Sequence, residues 1–355
     1  MKRKEKTKEM LTEHCKMYPK AKVQDILKFL HQSAFGCEHL LTDPLSAIAY
    51  MQEEASSCRA HGGELIEPVD GEYCRVHLDC IRNGLAAETL GKLFILSAEH
   101  KADGRQLLEE KIEALLELVR AGNLKFSEEE VSKAVEQWKA EGYPARRHSE
   151  EFRGEYFPAY RVIKKEYATW IPLFTELDCR LQKGSVTMEI EGGSGSGKTT
   201  LGKLFEQVYD CTVFHMDDFF LQKEQRTVAR LAEPGGNVDR ERFLEEVLLP
   251  LSRGKAVNYR RFNCSTFTIE EPVIYRSSTL NVIEGAYSMH PLLAGYYDFA
   301  VFLDISQITQ KERILKRNTP EMAKRFFEEW IPMEQLYLKE MNVKERCDIR
   351  VEISG

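Results

Sequence analysis

The stretch Glu191-Gly-Gly-Ser-Gly-Ser-Gly-Lys-Thr-Thr-Leu201 constrains this chain more than any other. It contains Gly192-x-x-x-x-Gly197-Lys198-Thr199, the phosphate-binding loop pattern, in the setting that loop requires. Before it, Val186-Thr-Met-Glu-Ile190 alternates apolar and polar residues like a strand. After it, Leu201, Leu204, Phe205 and Val208 fall on one helical face. Glycines let the backbone of Gly192, Gly193, Ser194, Gly195, Ser196 and Gly197 curl so that successive N–H groups point inward. The start of the helix, with Lys198, Thr199 and Thr200, adds partial positive charge. Lys198 would bridge the terminal phosphates, and the Thr199 hydroxyl would take a Mg²⁺ coordination position. ATP and Mg are therefore the expected ligands. The competing reading, a Gly/Ser turn that matches by accident, leaves the flanking strand and helix unexplained.

At 355 residues the chain is long for one domain, and two are expected. Hydrophobic residues make up 43% and charged residues 30%, enough apolar material for two cores. A net charge of −7 argues against a general nucleic-acid binder, which would carry a basic field. The basic start, Met1 to Lys8, reads as a solvated tail, because no apolar segment follows it as in a secretion signal. No run approaches a membrane span. The nine cysteines are scattered without a C-x-x-C pair, which suits free thiols in a reducing cytoplasm. The expected partner is a small-molecule substrate, with no nucleic acid and no membrane; a homo-oligomer is left open.

The first half, 1–183, reads as mostly helical. Val23, Ile26, Leu27 and Leu30 repeat at helix spacing, and Gly36 supplies a stop. Asp43-Pro44 looks like an N-cap and first-turn proline for a helix through Met51. Leu107 to Val119 is apolar-periodic, and Ser127-x-x-Glu130 makes a capping box ahead of Val131, Val135 and Trp138. From 184 to 355 the rhythm changes to short apolar runs between helical segments: Val186–Ile190, Thr212–His215, Leu280–Ile283, Phe299–Asp304 and Ile349–Ile353. Such alternation implies an α/β domain, a parallel sheet covered by helices on both faces. Ligands in such sheets gather at the carboxyl ends of strands. Asp217 and Asp218 follow the second run and Glu284 the third, which is where site residues belong.

An acidic pair in Phe214-His-Met-Asp-Asp-Phe-Phe220 has two chemical uses beside a phosphate loop. It can accept the proton of an attacking hydroxyl, or hold Mg²⁺ through water. The plain alternative is a helix N-cap pair. These residues, with Gly236-Asn-Val-Asp-Arg-Glu-Arg-Phe243, Tyr259-Arg-Arg-Phe-Asn263, Val282-Ile-Glu-Gly-Ala286 and a basic helix around Arg313 and Arg317, carry a resemblance. From Ser185 onward the chain resembles the uridine kinase, nicotinamide riboside kinase and phosphoribulokinase group of P-loop kinases.

The resemblance implies Asp217 as catalytic base, with Lys198, Arg313 and Arg317 acting on the transferred phosphoryl. It implies Asp218, Phe220, Asp239, Tyr259 and Arg261 around the acceptor, Asp239 gripping vicinal ribose hydroxyls. Glu284 would join Thr199 around Mg²⁺. The implied activity moves the ATP γ-phosphoryl to a hydroxyl of a ribonucleoside, uridine or cytidine. Alternatives are another small hydroxyl compound (nicotinamide riboside, pantothenate or a sugar acid) or an ATP-binding sensor whose helical half binds an effector. Asp239 could instead cap a helix, and the two arginines could be a solvated face. Where uridine kinases usually carry a His to read the base, this chain has Arg260-Arg-Phe-Asn-Cys264. Those arginines suit an anionic acceptor, or pair with Glu270 and Glu271.

In the first half, polar residues cluster at breaks in the helical rhythm. They are Phe35-Gly-Cys-Glu-His39, Glu67-Pro68, Arg75-Val-His77, His148-Ser-Glu-x-Phe-Arg153 and Tyr156-x-Pro-Ala-Tyr-Arg161. They could converge on one pocket for an anion or a metal, or be ordinary polar residues at helix ends.

Overall fold

The structure, a computed structural model, describes residues 2–37, 44–60, 62–98 and 104–353. The chain divides into two compact units, Met1–Cys179 and Arg180–Gly355.

In the first unit, helices Lys2–Met17, Val23–Phe35, Gly104–Arg120 and Glu128–Ala140 enclose one apolar core. The stripe Val23, Ile26, Leu27 and Leu30 is buried, as its periodicity demands. Gly36 ends its helix at φ 61°, a backbone that favours glycine, with the Tyr73 ring where a side chain would stand. The Ser127 hydroxyl accepts the Glu130 N–H at 3.2 Å and caps Glu128–Ala140. The helix opened by Pro44 continues to Ser57, past Met51. Its proposed N-cap Asp43, and Glu38 and His39, lie outside the described residues. A three-stranded antiparallel sheet in the order Ile66–Pro68, Tyr73–His77, Tyr160–Lys164 adds to the helical picture. Its middle strand is buried along its whole length, so it lacks the alternation that marks a strand in sequence.

The second unit is built on a five-stranded parallel sheet. Its strands are β1 (Val186–Gly192), β2 (Cys211–His215), β3 (Leu280–Glu284), β4 (Phe299–Ile305) and β5 (Ile349–Ile353), in the order β5-β4-β1-β3-β2. The five apolar runs coincide with these strands to within a residue or two. Helix α1 (Lys198–Val208) follows β1 and buries Leu201, Leu204, Phe205 and Val208. Further along lie α2 (Gln307–Arg317) and α3 (Ile331–Glu340). The unit is thus an α/β domain with a parallel sheet and a Gly-rich loop between β1 and α1. The parallel register places Glu284 level with Ile190 and His215, so the phosphate loop, the end of β2 and Glu284 emerge at one edge. Among the described residues no helix is long and apolar enough to cross a membrane.

Candidate active site

The loop between β1 and α1 is shaped by its glycines. Gly195 (φ 78°) and Gly197 (φ 103°) take left-handed backbone that turns the chain into α1. At Gly192 the limit is space: a Cβ would stand 2.6 Å from the Leu303 carbonyl oxygen and 2.8 Å from Ser196 Oγ. Ser196 Oγ is buried without a hydrogen-bond partner, an orphan acceptor and donor inside the loop. Lys198 folds its Nζ back to the carbonyls of Gly192 (2.6 Å) and Gly193 (3.3 Å). Thr199 and Thr200 are exposed on the first turn of α1. An ammonium, an orphan hydroxyl and the N-terminus of α1 fit a polyphosphate, while the N–H groups of Gly192, Ser194 and Ser196 are donated to Glu191, Glu334 and the Gly193 carbonyl.

The Thr199 hydroxyl donates to Glu284 Oε1 at 3.1 Å, which gathers two hard oxygen donors at the foot of the loop. That pair fits Mg²⁺. His215, which the sequence places only as the end of an apolar run and not as a site residue, lies with Nδ1 2.6 Å from the same Glu284 oxygen. The hydrogen bond to Glu284 raises the His215 pKa, against the opposing pull of burial. Its signal was its position, the last residue of the second apolar run.

The acidic pair occupies a tight helical turn, Met216–Phe219, directly after β2. Asp218 is engaged: the Tyr259 hydroxyl lies 2.8 Å from its Oδ2, and Arg261 Nε lies 3.4 Å away. Asp217 is exposed toward the cleft. Desolvation by the surrounding protein raises its pKa, and Glu284, Glu334 and Asp218 add to this while Lys198 opposes it. Of the two, Asp217 is the more exposed carboxylate.

The other acceptor residues are more embedded than the resemblance implies. Tyr259 is buried, and its hydroxyl also accepts the His215 N–H at 3.0 Å, so it fixes Asp218 and the end of β2. Phe220 is half-buried and bridges to Val238. Asp239 caps the helix Arg240–Phe243: Oδ1 accepts the Arg242 N–H at 3.1 Å and Oδ2 the Gln225 amide at 2.8 Å. With both oxygens engaged and only 4% of the residue exposed, a diol would have to displace Gln225. Arg260 pairs with Glu246, not with Glu270 or Glu271, while Arg261 is half-exposed beside Asp218. Arg313 donates to the Gly195 carbonyl at 3.2 Å, and the Arg317 guanidinium lies over the Phe326 ring at 5.3 Å.

Two features beside the loop were missed entirely. Glu334 on α3 accepts the Ser194 N–H at 2.8 Å and the Ser194 hydroxyl, and it borders a cavity of about 370 Å³ shared with Gly193, Leu303 and Gln310. Beneath the loop, Glu189 and Glu191 are fully buried side by side with the Ser288 hydroxyl. Glu191 accepts the Gly192 N–H (2.9 Å) and the Tyr337 hydroxyl (2.9 Å). Burial pushes the Glu191 carboxyl up to about 7, and burial together with Glu191 holds that of Glu189 well above the usual range.

In the first unit, Glu67, Arg75, His77 and His148 do converge, joined by His14, Tyr18, Asp25, Gln32 and Tyr160. Arg75, fully buried, donates to Glu67 (2.9 Å) and Gln32 (2.8 and 3.0 Å). His148 lies between Asp25 (2.9 Å) and the Tyr160 hydroxyl (2.6 Å). Burial lowers His14 and His148 to about 4, so both are neutral. Most of these groups pair with one another in the interior, while His14 Nε2 is buried without a hydrogen-bond partner, and no cluster suited to a metal occurs among the described residues.

No family model matches the chain, and no curated protein is similar to it. Several solved structures are similar to about half of the chain. One, described as a possible uridine kinase from Bacillus stearothermophilus, is 23% identical over 49% of this chain and 98% of that one (TM-score 0.37). A protein provisionally described as a fructose transport system kinase from Silicibacter is 19% identical over 47% and 89% (TM-score 0.36). Shikimate kinase from Bacteroides thetaiotaomicron is 15% identical over 46% and 85% (TM-score 0.25).

Proposed function

We propose that the second unit transfers the terminal phosphoryl of ATP to a hydroxyl of a small molecule. The observation that carries this reading is the exposed Asp217 facing Lys198 and Glu284 across the mouth of a phosphate loop, while its neighbour Asp218 is engaged elsewhere. Phosphoryl transfer asks for positioning, charge neutralisation and a base in line with the nucleophile. The loop N–H groups and Lys198 would hold the phosphates, releasing the contacts of Lys198 to its own loop. Thr199 and Glu284 would hold Mg²⁺, which supplies charge neutralisation when bound. Asp217 would take the proton of the acceptor hydroxyl. Arg313, already at the loop, would reach the transferred group; Arg317 would first leave Phe326.

For the acceptor we favour a ribonucleoside-like molecule. Arg261, half-exposed beside Asp218, supports a second reading in which the acceptor carries an anionic group. An ATP-consumption screen over nucleosides, sugar acids and pantothenate separates them. Turnover should be lost in Lys198→Ala, which removes the only loop ammonium. Turnover and nucleotide affinity unchanged in Lys198→Ala would overturn the assignment.

A further inference from the structure

The two helices that flank residues 318–330 both reach the phosphate loop at its tip. From α2, Gln310 Nε2 donates to the Ser194 carbonyl at 2.8 Å and Arg313 to the Gly195 carbonyl. From α3, Glu334 takes both donors of Ser194, its N–H and its hydroxyl. Glu334 is only 6% exposed, so its charge is poorly screened by water. Its charge reaches Asp217 across the cleft, where it adds to the forces that disfavour ionisation.

A carboxylate in this place acts in two opposed ways. Its hydrogen bonds order the loop tip, which favours binding of anything the loop recognises. Its negative charge, fixed beside a loop built for anions, opposes binding in proportion to the ligand's own charge. The loop needs a carboxylate for neither hydrogen bond, since an amide would accept from the N–H and donate to the hydroxyl. The charge is therefore the distinctive property of this side chain.

We propose that Glu334 is a charge gate on the phosphate loop, a fixed carboxylate that lowers affinity for polyphosphates and so speeds release of the spent nucleotide. The inference rests on the nucleotide reading of the loop given above. Release of product limits turnover in many enzymes, and a gate of this kind exchanges tight binding for exit.

Glu334→Gln isolates the charge from the hydrogen bonds. With Mg²⁺ removed by a chelator, so that ATP, ADP and AMP differ in charge, calorimetric titration should show ATP binding tightened about tenfold, ADP about sixfold and AMP about threefold, an order set by ligand charge. Glu334→Ala, whose space opens to the adjacent cavity and its water, carries the same test if the amide variant does not fold. The lost hydrogen bonds shift all three affinities by a common factor, but the ratio of variant to wild-type affinity must still rank ATP above ADP above AMP. Wild-type ATP binding that depends on Lys198, yet is unmoved or weakened by Glu334→Gln, overturns the gate alone. Failure of the wild type to bind ATP, or binding that survives Lys198→Ala, overturns the nucleotide reading itself.

Discussion

Replacing each member of the acidic pair by its amide gives the sharpest test of the site. Asp217→Asn keeps the size of the side chain and removes the exposed carboxylate that follows β2, so kcat should fall by roughly 10²–10⁴. At about 1.4 kcal/mol per tenfold, that is about 3–5 kcal/mol of transition-state stabilisation. Asp218→Asn is a milder change. The amide oxygen still meets the Tyr259 hydroxyl, and what disappears is the attraction to Arg261 at 3.4 Å, with that arginine half in solvent. Exposed pairs of this kind contribute about 0–1 kcal/mol, which caps the loss at about fivefold. The two variants should therefore differ by at least twentyfold or so. Initial rates of ATP consumption with the best acceptor from the screen measure this, with ADP binding as a control that both variants fold. In the wild type, the raised Asp217 pKa places the acid limb of kcat above the ordinary aspartate range, and Asp217→Asn should abolish that limb. A larger loss in Asp218→Asn, or a loss below tenfold in Asp217→Asn, would refute the assignment of the base.

Three further outcomes follow from the same geometry. Glu284→Gln should raise the Mg²⁺ concentration for half-maximal rate, since one anionic oxygen beside Thr199 is lost; a titration identical to wild type would make Glu284 structural. Asp239→Ala should lower stability by about 0.5–2 kcal/mol through the lost cap and should cost ribo and 2′-deoxy acceptors equally. A loss confined to vicinal diols would show that Gln225 gives way to substrate. The pair Glu189 and Glu191 binds protons more tightly folded than unfolded, where carboxyls titrate near 4.5. Its contribution is thus greatest below that value and declines as pH rises toward about 7. Calorimetric Tm should fall over this window, and Glu189→Gln should flatten the fall; an unchanged slope would remove the pair from the explanation.

What the sequence disclosed follows from how local each feature is. The loop, the strand before it and the helix after it are contiguous, and the five strands are short apolar runs that announce themselves. Asp217 and Glu284 were visible because each directly follows such a run. Glu334 was not, since it sits in an ordinary helix and its partner Ser194 is 140 residues away. Glu189 looked like the polar position of an alternating strand. It is fully buried because helices cover both faces of the sheet and because Ser288, from the loop after β3, returns to it. The sequence leaves Asp239 open between a ligand contact and a helix cap, and places Tyr259 only by motif position, because neither signal says whether Gln225 or His215 already engages those atoms. In the first unit the polar residues were seen to cluster, but that they would neutralise one another depended on Arg75 and Glu67 facing across an antiparallel register.

The tight fit at Gly192 bears on how inactive versions of this protein should be made. A Cβ there would stand 2.6 Å from the Leu303 carbonyl oxygen, so the residue that begins the phosphate loop is also one that lets β4 lie alongside β1. Any side chain there would wedge two central strands apart before it could disturb a ligand. A Gly192 variant that neither binds nucleotide nor turns over would thus report a misfolded sheet, and such a protein is unsuitable as a catalytically dead stand-in for the native one. Lys198, at the far end of the same loop, reaches its neighbours only through a flexible amine, and its removal separates loss of chemistry from loss of shape.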